Sequence, residues 1–213
     1  MRSAGEILTE VRFMANIDKD NRFSDERLLA MFNSVQREIQ RNIFLALPEN
    51  DVFTKTKTYT LEAGVYEYSL PNTIYAQNSV NHCLYFPVSG SNRPLKKLTP
   101  KEYRKETGYF ISNKKIVFNM SQSVVTGGTV VVTYTYKLPS LTSLDEVSDL
   151  PTVCEDYLMR GIERLVHYAD SSSDVQMSQA LTSEERDQIN QLFAENFQDV
   201  QYIPITDDTY NIW

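Results

Sequence analysis

Residues 24–48 read SDERLLAMFNSVQREIQRNIFLALP, and this stretch predicts an amphipathic α-helix. Ser24 is a suitable N-cap, and Asp25 and Glu26 suit the first turn, where free backbone N–H groups carry partial positive charge. Apolar side chains then recur every three or four residues and form one stripe: Leu28, Phe32, Val35, Ile39 and Ile43. Pro48 closes the pattern because proline cannot continue a helix. The stretch therefore predicts a helix with one face against a core.

After Pro48 the apolar period changes from about 3.6 residues to two. Residues 54–61 alternate, and Glu62-Ala63-Gly64 predicts a turn into a second strand over residues 65–70, so that the two strands form a hairpin. Further strand-like segments lie at residues 80–88, 109–111, 115–118 and 129–136, with turn residues at Ser112-Asn113 and Gly127-Gly128. This middle part predicts an antiparallel β module of five to seven strands.

Helical patterns stand on both sides of the β module. Three capping boxes, in which Ser or Thr is followed three residues later by Glu, predict helix starts at Ser3, Thr152 and Thr182. The fold class predicted is α+β, with N- and C-terminal helices packed as a helical bundle. Its parts are a helical body of residues 1–50 and 150–200, an inserted antiparallel β module of residues 51–140 and an extended C-terminal docking arm of residues 201–213.

Charge is distributed unevenly along the chain, whose net charge is −7. Residues 52–138 carry 11 Lys or Arg and 4 Glu, a net charge of +7, whereas residues 139–213 carry 3 Arg and 15 acidic side chains, a net charge of −12. One interpretation is two solvated faces of opposite sign. The other is self-complementarity, in which the basic module of one copy meets the acidic part of another and favours an oriented assembly.

The sequence offers no set of residues that predicts catalysis, a metal or a cofactor. His82 and Cys83 are neighbours on a predicted strand and point to opposite faces, and His167 suits the last turn of a helix as a cation. Residues 18–22 resemble the start of a calcium loop, but Phe23 stands where such loops need glycine. Cys83 and Cys154 are expected to be buried thiols in a protein made in the cytoplasm.

Two segments predict contact surfaces. A basic patch near Tyr103 and Tyr109 could bind a nucleic acid or, as the favoured interpretation, face solvent or a protein; it consists of Lys96, Lys97, Lys101, Arg104 and Lys105. The end of the sequence lacks a helical period but is rich in large apolar side chains, which predicts docking: Tyr202, Ile203, Pro204, Ile205, Tyr210, Ile212 and Trp213. The longest purely apolar run has five residues, so no membrane contact is expected.

The order of these segments resembles the head-to-tail adaptor, or connector, proteins of tailed bacteriophages. The likeness lies in the early helix of residues 24–39 with an Asn near a Gln, in residues 59–71 ending in Leu-Pro, and in residues 134–139. Leu150-Pro151 then precedes a helix ending in residues 166–169.

The resemblance implies a structural virion protein that needs no cofactor. Such proteins form a homo-oligomeric ring, commonly of twelve copies, below the portal protein. The ring joins the capsid to a tail or nozzle protein at the head-tail junction and surrounds the channel through which the genomic DNA passes without sequence-specific binding. The resemblance further implies that the C-terminal arm docks on the portal. It leaves three alternatives: a tail or nozzle ring protein, a nucleic-acid-binding module that uses the basic patch, and an enzyme whose site needs partner subunits.

Overall fold

The computed structural model describes residues 2–18, 20–47, 51–76, 79–99, 101–103, 106–120, 127–170 and 180–197. Within these ranges the chain forms four α-helices and two antiparallel sheets, so the predicted α+β class is confirmed. The chain divides into two compact units. We call residues Met1–Pro48 with Leu141–Trp213 the helical unit and residues Glu49–Ser140 the β unit.

The helical unit contains α1 (Ala4–Met14), α2 (Asp25–Ala46), a 3₁₀ turn (Thr152–Cys154), α3 (Glu155–Asp170) and α4 (Ser183–Phe197). The capping box at Ser3 is confirmed, because Ser3 Oγ accepts from the Glu6 N–H and the Glu6 carboxylate accepts from the Ser3 N–H. The cap at Ser24 is confirmed by the Arg27 N–H, which donates to Ser24 Oγ over 3.3 Å. These caps satisfy N–H groups that the first turn leaves without a carbonyl partner.

The capping box predicted at Thr152 is wrong. The chain leaves Pro151 in an extended conformation and enters α3 through the 3₁₀ turn, which has no side-chain cap. The Glu155 carboxylate accepts from the Arg2 guanidinium instead. The sequence pattern is present, but an ion pair with the start of the chain recruits the acidic residue that would complete the box.

The core of the helical unit is built around the stripe predicted on α2. All five of its side chains are fully buried: Leu28, Phe32, Val35, Ile39 and Ile43. Helix α3 packs against α1 and α2, and α4 packs against α2. Gly161 of α3 lies so close to α2 that a Cβ there would come within 2.6 Å of Val35 Cγ1. The two helices therefore meet where one of them has no side chain.

The β unit contains seven described strands: β1 (Thr54–Thr60), β2 (Glu67–Ser69), β3 (Val80–Phe86), β4 (Arg93–Pro94), β5 (Gly108–Ser112), β6 (Lys115–Asn119) and β7 (Thr129–Thr135). They form a four-stranded sheet in the order β1-β7-β3-β4 and a three-stranded sheet in the order β2-β6-β5. All of the ladders are antiparallel. The antiparallel pairing predicted for the middle of the chain is therefore confirmed, whereas some strands have other partners than predicted.

The hairpin predicted from residues 54–61 and 65–70 is wrong. Strand β1 pairs with β7, and β2 pairs with β6 in the other sheet. Gly64 does turn the chain, with φ +78°, but the turn leads from one sheet to the other. Gly127-Gly128 is not a turn between paired strands either, because β6 and β7 belong to different sheets. Glycine at position 128 instead leaves room for the Tyr85 ring, which a Cβ would approach to 2.7 Å.

The turn predicted at Ser112-Asn113 is confirmed. It joins β5 to β6, whose pairing begins at Ser112 and Lys115. Asn113 and Lys114 have φ values of 49° and 61°, the left-handed conformation that a two-residue hairpin loop requires. Asparagine tolerates this conformation better than most residues do, so the local sequence is compatible with the turn.

Some of the tyrosines belong to the core of the β unit. Tyr59, Tyr68 and Phe118 form a cluster of rings, with centroid separations of 5.4 to 6.2 Å. Burial raises the pKa of Tyr59 to about 12. Tyr85 is fully buried as well. These rings supply apolar area inside the unit.

Candidate interaction surfaces

A buried polar network joins α2 to the segment that returns from the β unit. Asn33 Nδ2 donates to the Leu141 carbonyl over 2.9 Å, and Asn33 Oδ1 accepts from the Leu141 N–H over 2.8 Å. Gln36 Nε2 donates to Asn33 Oδ1 over 2.9 Å, and Gln36 Oε1 accepts from the Ser148 hydroxyl over 2.9 Å. The Asn33 side chain thus gives the backbone N–H and carbonyl of Leu141 the hydrogen-bond partners that a sheet or water would otherwise supply. Asn33 and Gln36 are also the Asn and Gln of the early helix that resembles the one in head-to-tail adaptor proteins.

The start of α4 is held to α2 by a second polar cluster. The Glu38 carboxylate accepts from the backbone N–H groups of Ala180 and Leu181, over 3.0 and 3.3 Å. The same carboxylate accepts from the Arg186 guanidinium over 2.7 Å. In the sequence Glu38 stands next to Ile39 of the apolar stripe, with no sign of these distant partners. Because α4 packs on α2, the Glu38 carboxylate can accept hydrogen bonds from backbone N–H groups just before α4, although Glu38 is far from them in sequence.

Glu185 completes the predicted capping box and also binds an arginine of α3. Thr182 Oγ1 accepts from the Glu185 N–H, and the Glu185 carboxylate accepts from the Thr182 N–H over 2.8 Å. Both Arg164 terminal nitrogens donate to this carboxylate over 2.9 Å. Burial acts to raise the pKa of Glu185, but the hydrogen bonds from Arg164 and Thr182 together outweigh it and lower the pKa. This bidentate pair fixes α4 against α3.

The predicted basic patch is only partly described. Lys96 Nζ lies 2.8 Å from one carboxylate oxygen of Glu102 and 2.8 Å from one of Glu106. The ammonium group of Lys96 lowers the pKa of Glu102 to about 2. The charge of Lys96 is thus compensated within the β unit, which reduces its attraction for phosphate. Lys97 and Lys101 are exposed, whereas Arg104 and Lys105 lie outside the described residues, so a binding role of the patch stays a prediction.

The predicted docking residues also lie outside the described part of the chain. They are Tyr202, Ile203, Pro204, Ile205, Tyr210, Ile212 and Trp213. Their contacts therefore stay a prediction.

The described titratable side chains do not assemble a reactive site. Cys83 and Cys154 are free and buried, as expected, and burial raises the pKa of each thiol to about 12. His167 is largely exposed and lies 3.8 Å from Glu163, one turn earlier on α3. Across the described ranges, no group of three His, Cys, Asp or Glu side chains is placed to hold a metal ion. No described helix has both the length and the apolar character needed to cross a membrane.

The outer edge of the four-stranded sheet could not be recognised from the sequence alone. Strand β1 is the outer strand, and its register runs from Thr54 opposite Thr135 to Thr60 opposite Thr129. The alternation of Thr and Lys from residue 54 does indicate a strand. Whether that strand lies at an edge of the sheet depends on which strands pair with it, and the alternation does not show this. A predicted β1-β2 hairpin would have paired β1 differently and hidden this edge.

A model of the family described as SU10 adaptor protein matches residues 2–208. Because the match spans nearly the whole sequence, the chain belongs to this family of adaptor proteins, and the resemblance to phage adaptors is confirmed.

Among solved structures the chain is similar to one titled "Neck of empty GTA particle computed with C6 symmetry", with 11% identity and a TM-score of 0.29. The similarity covers 91% of this chain and 92% of that chain, but a TM-score this low carries no argument about assembly. No curated protein matches the sequence.

Proposed function

We propose that this chain is a head-to-tail adaptor of a tailed-phage particle. Copies form a ring, commonly of twelve in proteins of this kind, between the portal protein and a tail or nozzle protein. The ring surrounds the channel through which the genomic DNA passes. The observation that carries the proposal is membership of the SU10 adaptor protein family over residues 2–208. The protein is made in the host cytoplasm and acts in the virion without a catalytic step or a cofactor.

The two described units support a role in assembly. The helical unit is fixed internally by the Asn33 network and by the Arg164–Glu185 pair, both of which join segments distant in sequence. A subunit with such a body can keep its shape while other surfaces bind its neighbours. The opposite net charges of residues 52–138 and 139–213 favour contacts between unlike parts of adjacent copies, as a closed ring requires.

The nucleic-acid-binding alternative is less well supported. Phosphate binding needs cations whose charge is available, and Lys96 is paired with Glu102 and Glu106. The chain as a whole carries a net charge of −7. Salt-dependent DNA binding at physiological ionic strength, lost when Lys96 and Lys97 are both replaced by Gln, would favour this alternative over the adaptor.

Co-expression with the portal protein of the same phage tests the proposal. The adaptor should co-purify with the portal, and class averages of the negatively stained complex should show an added ring at one end of the portal. A portal that purifies without this chain at matched expression levels contradicts the adaptor role. The major capsid protein, co-expressed in the same way, serves as the control for non-specific association.

A further inference from the structure

Strand β1 forms an outer edge of the four-stranded sheet, and no other described strand lies beside that edge. In the ladder with β7, the Leu61 N–H donates to the Gly128 carbonyl over 2.8 Å and the Tyr136 N–H donates to the Phe53 carbonyl over 2.8 Å. The odd-numbered residues of this strand therefore bond to β7, because hydrogen-bonded pairs alternate along an antiparallel ladder. The even-numbered residues direct their N–H and C=O groups away from the sheet: Thr54, Thr56, Thr58 and Thr60.

Of the described strand edges, this one best suits an added strand. Strand β1 has seven residues without a proline or a register shift. Strand β4 has only two residues and contains Pro94, and β2 has only three. The outer side of β5 is partly occupied, since the Leu98 N–H donates to the Tyr109 carbonyl and the Tyr109 N–H donates to the Lys96 carbonyl. A long and regular edge with no other described strand beside it is a template for pairing with another chain, provided that the partner suits the lysines of the edge.

The side chains of β1 select the kind of strand that can pair. Lys55 and Lys57 alternate with the threonines, and the Lys57 side chain is exposed. Lys55 Nζ lies 3.9 Å from the centroid of the Tyr136 ring and is therefore engaged within the unit. Two β1 edges that paired with each other would bring lysines together, which opposes self-pairing. An acidic segment rich in β-branched and aromatic residues would be complementary.

We propose that β1 of one copy takes up the C-terminal segment of a second copy, residues 202–213, as a fifth strand. This segment contains Asp207 and Asp208 and no Lys or Arg. Of its remaining residues, Pro204 and Asn211 do not favour strands, and the others do: Tyr202, Ile203, Ile205, Thr206, Thr209, Tyr210, Ile212 and Trp213. Sixteen residues follow Phe197 in the sequence, enough for about 50 Å of extended chain, so the segment can reach a neighbouring molecule.

The inference rests on the proposed function in one respect, namely that copies lie side by side in an assembly. It assigns to the segment a receptor on a second copy, where the resemblance implied the portal. Main-chain hydrogen bonds to Thr56, Thr58 and Thr60 would supply affinity, and a contact between Lys57 and the aspartates would supply specificity. Because every copy has one such edge and one such segment, the contact is heterologous and can close a ring.

A binding assay on the full-length chain tests the inference. A fluorescent peptide of residues 200–213 is titrated with the protein and followed by anisotropy, with a scrambled peptide of equal composition as the control. We expect the peptide to bind wild type, and Thr58→Val, which keeps the backbone N–H, to bind it within about twofold of wild type. Thr58→Pro removes an outward N–H that β7 does not use, and should weaken binding about tenfold or more.

A charge variant decides the matter if Thr58→Pro fails to fold by circular dichroism. Lys57→Glu should weaken binding several-fold, and a peptide carrying Asp207→Lys and Asp208→Lys should restore it. The inference is overturned if wild type binds the peptide no better than the scrambled control. It is also overturned if Thr58→Pro folds and binds as wild type does, if Lys57→Glu leaves affinity unchanged, or if the peptide binds isolated portal protein instead of this chain.

This assay is independent of the virion, so its failure is distinguishable from failure of the adaptor role. A protein that co-purifies with the portal but does not bind the peptide is an adaptor with a different ring contact. A protein that binds the peptide but not the portal assembles through β1 at another place in the particle.

Discussion

Replacing Asn33 by Ala should destabilise the helical unit strongly, because the side chain of Asn33 is the link between α2 and the returning segment. The substitution leaves both the N–H and the carbonyl of Leu141 without their described partner in a buried position. Each buried group left unpaired costs about 1–3 kcal/mol. Alanine is the better helix former by about 0.5 kcal/mol, which offsets part of the loss. We expect the free energy of unfolding to fall by about 3 kcal/mol.

Urea denaturation followed by circular dichroism at 222 nm measures this loss, since the helices supply most of that signal. With a slope of about 2 kcal/mol per molar urea, the midpoint should fall by about 1.5 M. Asn42→Ala is a matched control on the same helix. Asn42 is only partly buried and donates to the Arg186 carbonyl and to Asn190, so its loss should cost about 1 kcal/mol. Equal midpoints for Asn33→Ala and wild type would refute the role assigned to the network.

Three other substitutions or measurements test the packing and the charges. The pKa of Glu185 is lowered from its ordinary value of 4.5 although burial opposes this, so its contribution to stability is present above pH 4.5 and is lost as the pH falls through the lowered pKa. Glu185→Gln should make the free energy of unfolding depend less on pH below the ordinary glutamate pKa, and an unchanged pH dependence contradicts the Arg164 pair. Gly161→Ala should lower stability by about 1–3 kcal/mol in thermal melts because its Cβ meets Val35, and a neutral result shows that the helices can separate freely. Cys83, whose pKa burial raises to about 12, should react with iodoacetamide at pH 8 only in denaturant, as mass spectrometry would show; rapid labelling of native protein contradicts its burial.

Local features of the sequence predicted the helices well because caps and apolar period act within a few residues. The Ser3, Ser24 and Thr182 caps and the α2 stripe are all present in the fold. The exception is Thr152, where the acidic residue of the box binds Arg2, more than 150 residues away in sequence. A pattern of four residues contains no information about such a competitor.

Strand pairing was harder to predict because partners are chosen by non-local burial. Residues 62–64 do form a turn, yet β1 bonds to β7, about 70 residues later in sequence, and buries Tyr59 against Tyr68 and Phe118. A turn signal fixes where the chain bends but not which strand lies beside it afterwards. The β1 edge could not be identified before the strand order was known.

The hydrogen-bond and ion-pair partners of polar side chains were equally hard to predict from the sequence. Asn33 and Gln36 stand out in the sequence as amides near an apolar stripe, but their partners lie more than 100 residues away. Likewise, Lys96 looks like part of a free cationic patch until Glu102 and Glu106 are placed beside it. Composition indicates which charges are present, whereas pairing decides which of them remain available to a partner.

Imaging of intact virions tests the central claim most directly. The phage is grown with an epitope-tagged copy of this chain, and antibody-labelled particles are examined by electron microscopy, with untagged phage as the control. The account predicts label confined to the junction between the portal vertex and the tail. Label on the capsid faces or at the distal end of the tail, or full particles in which the tagged protein is absent, would contradict the adaptor role.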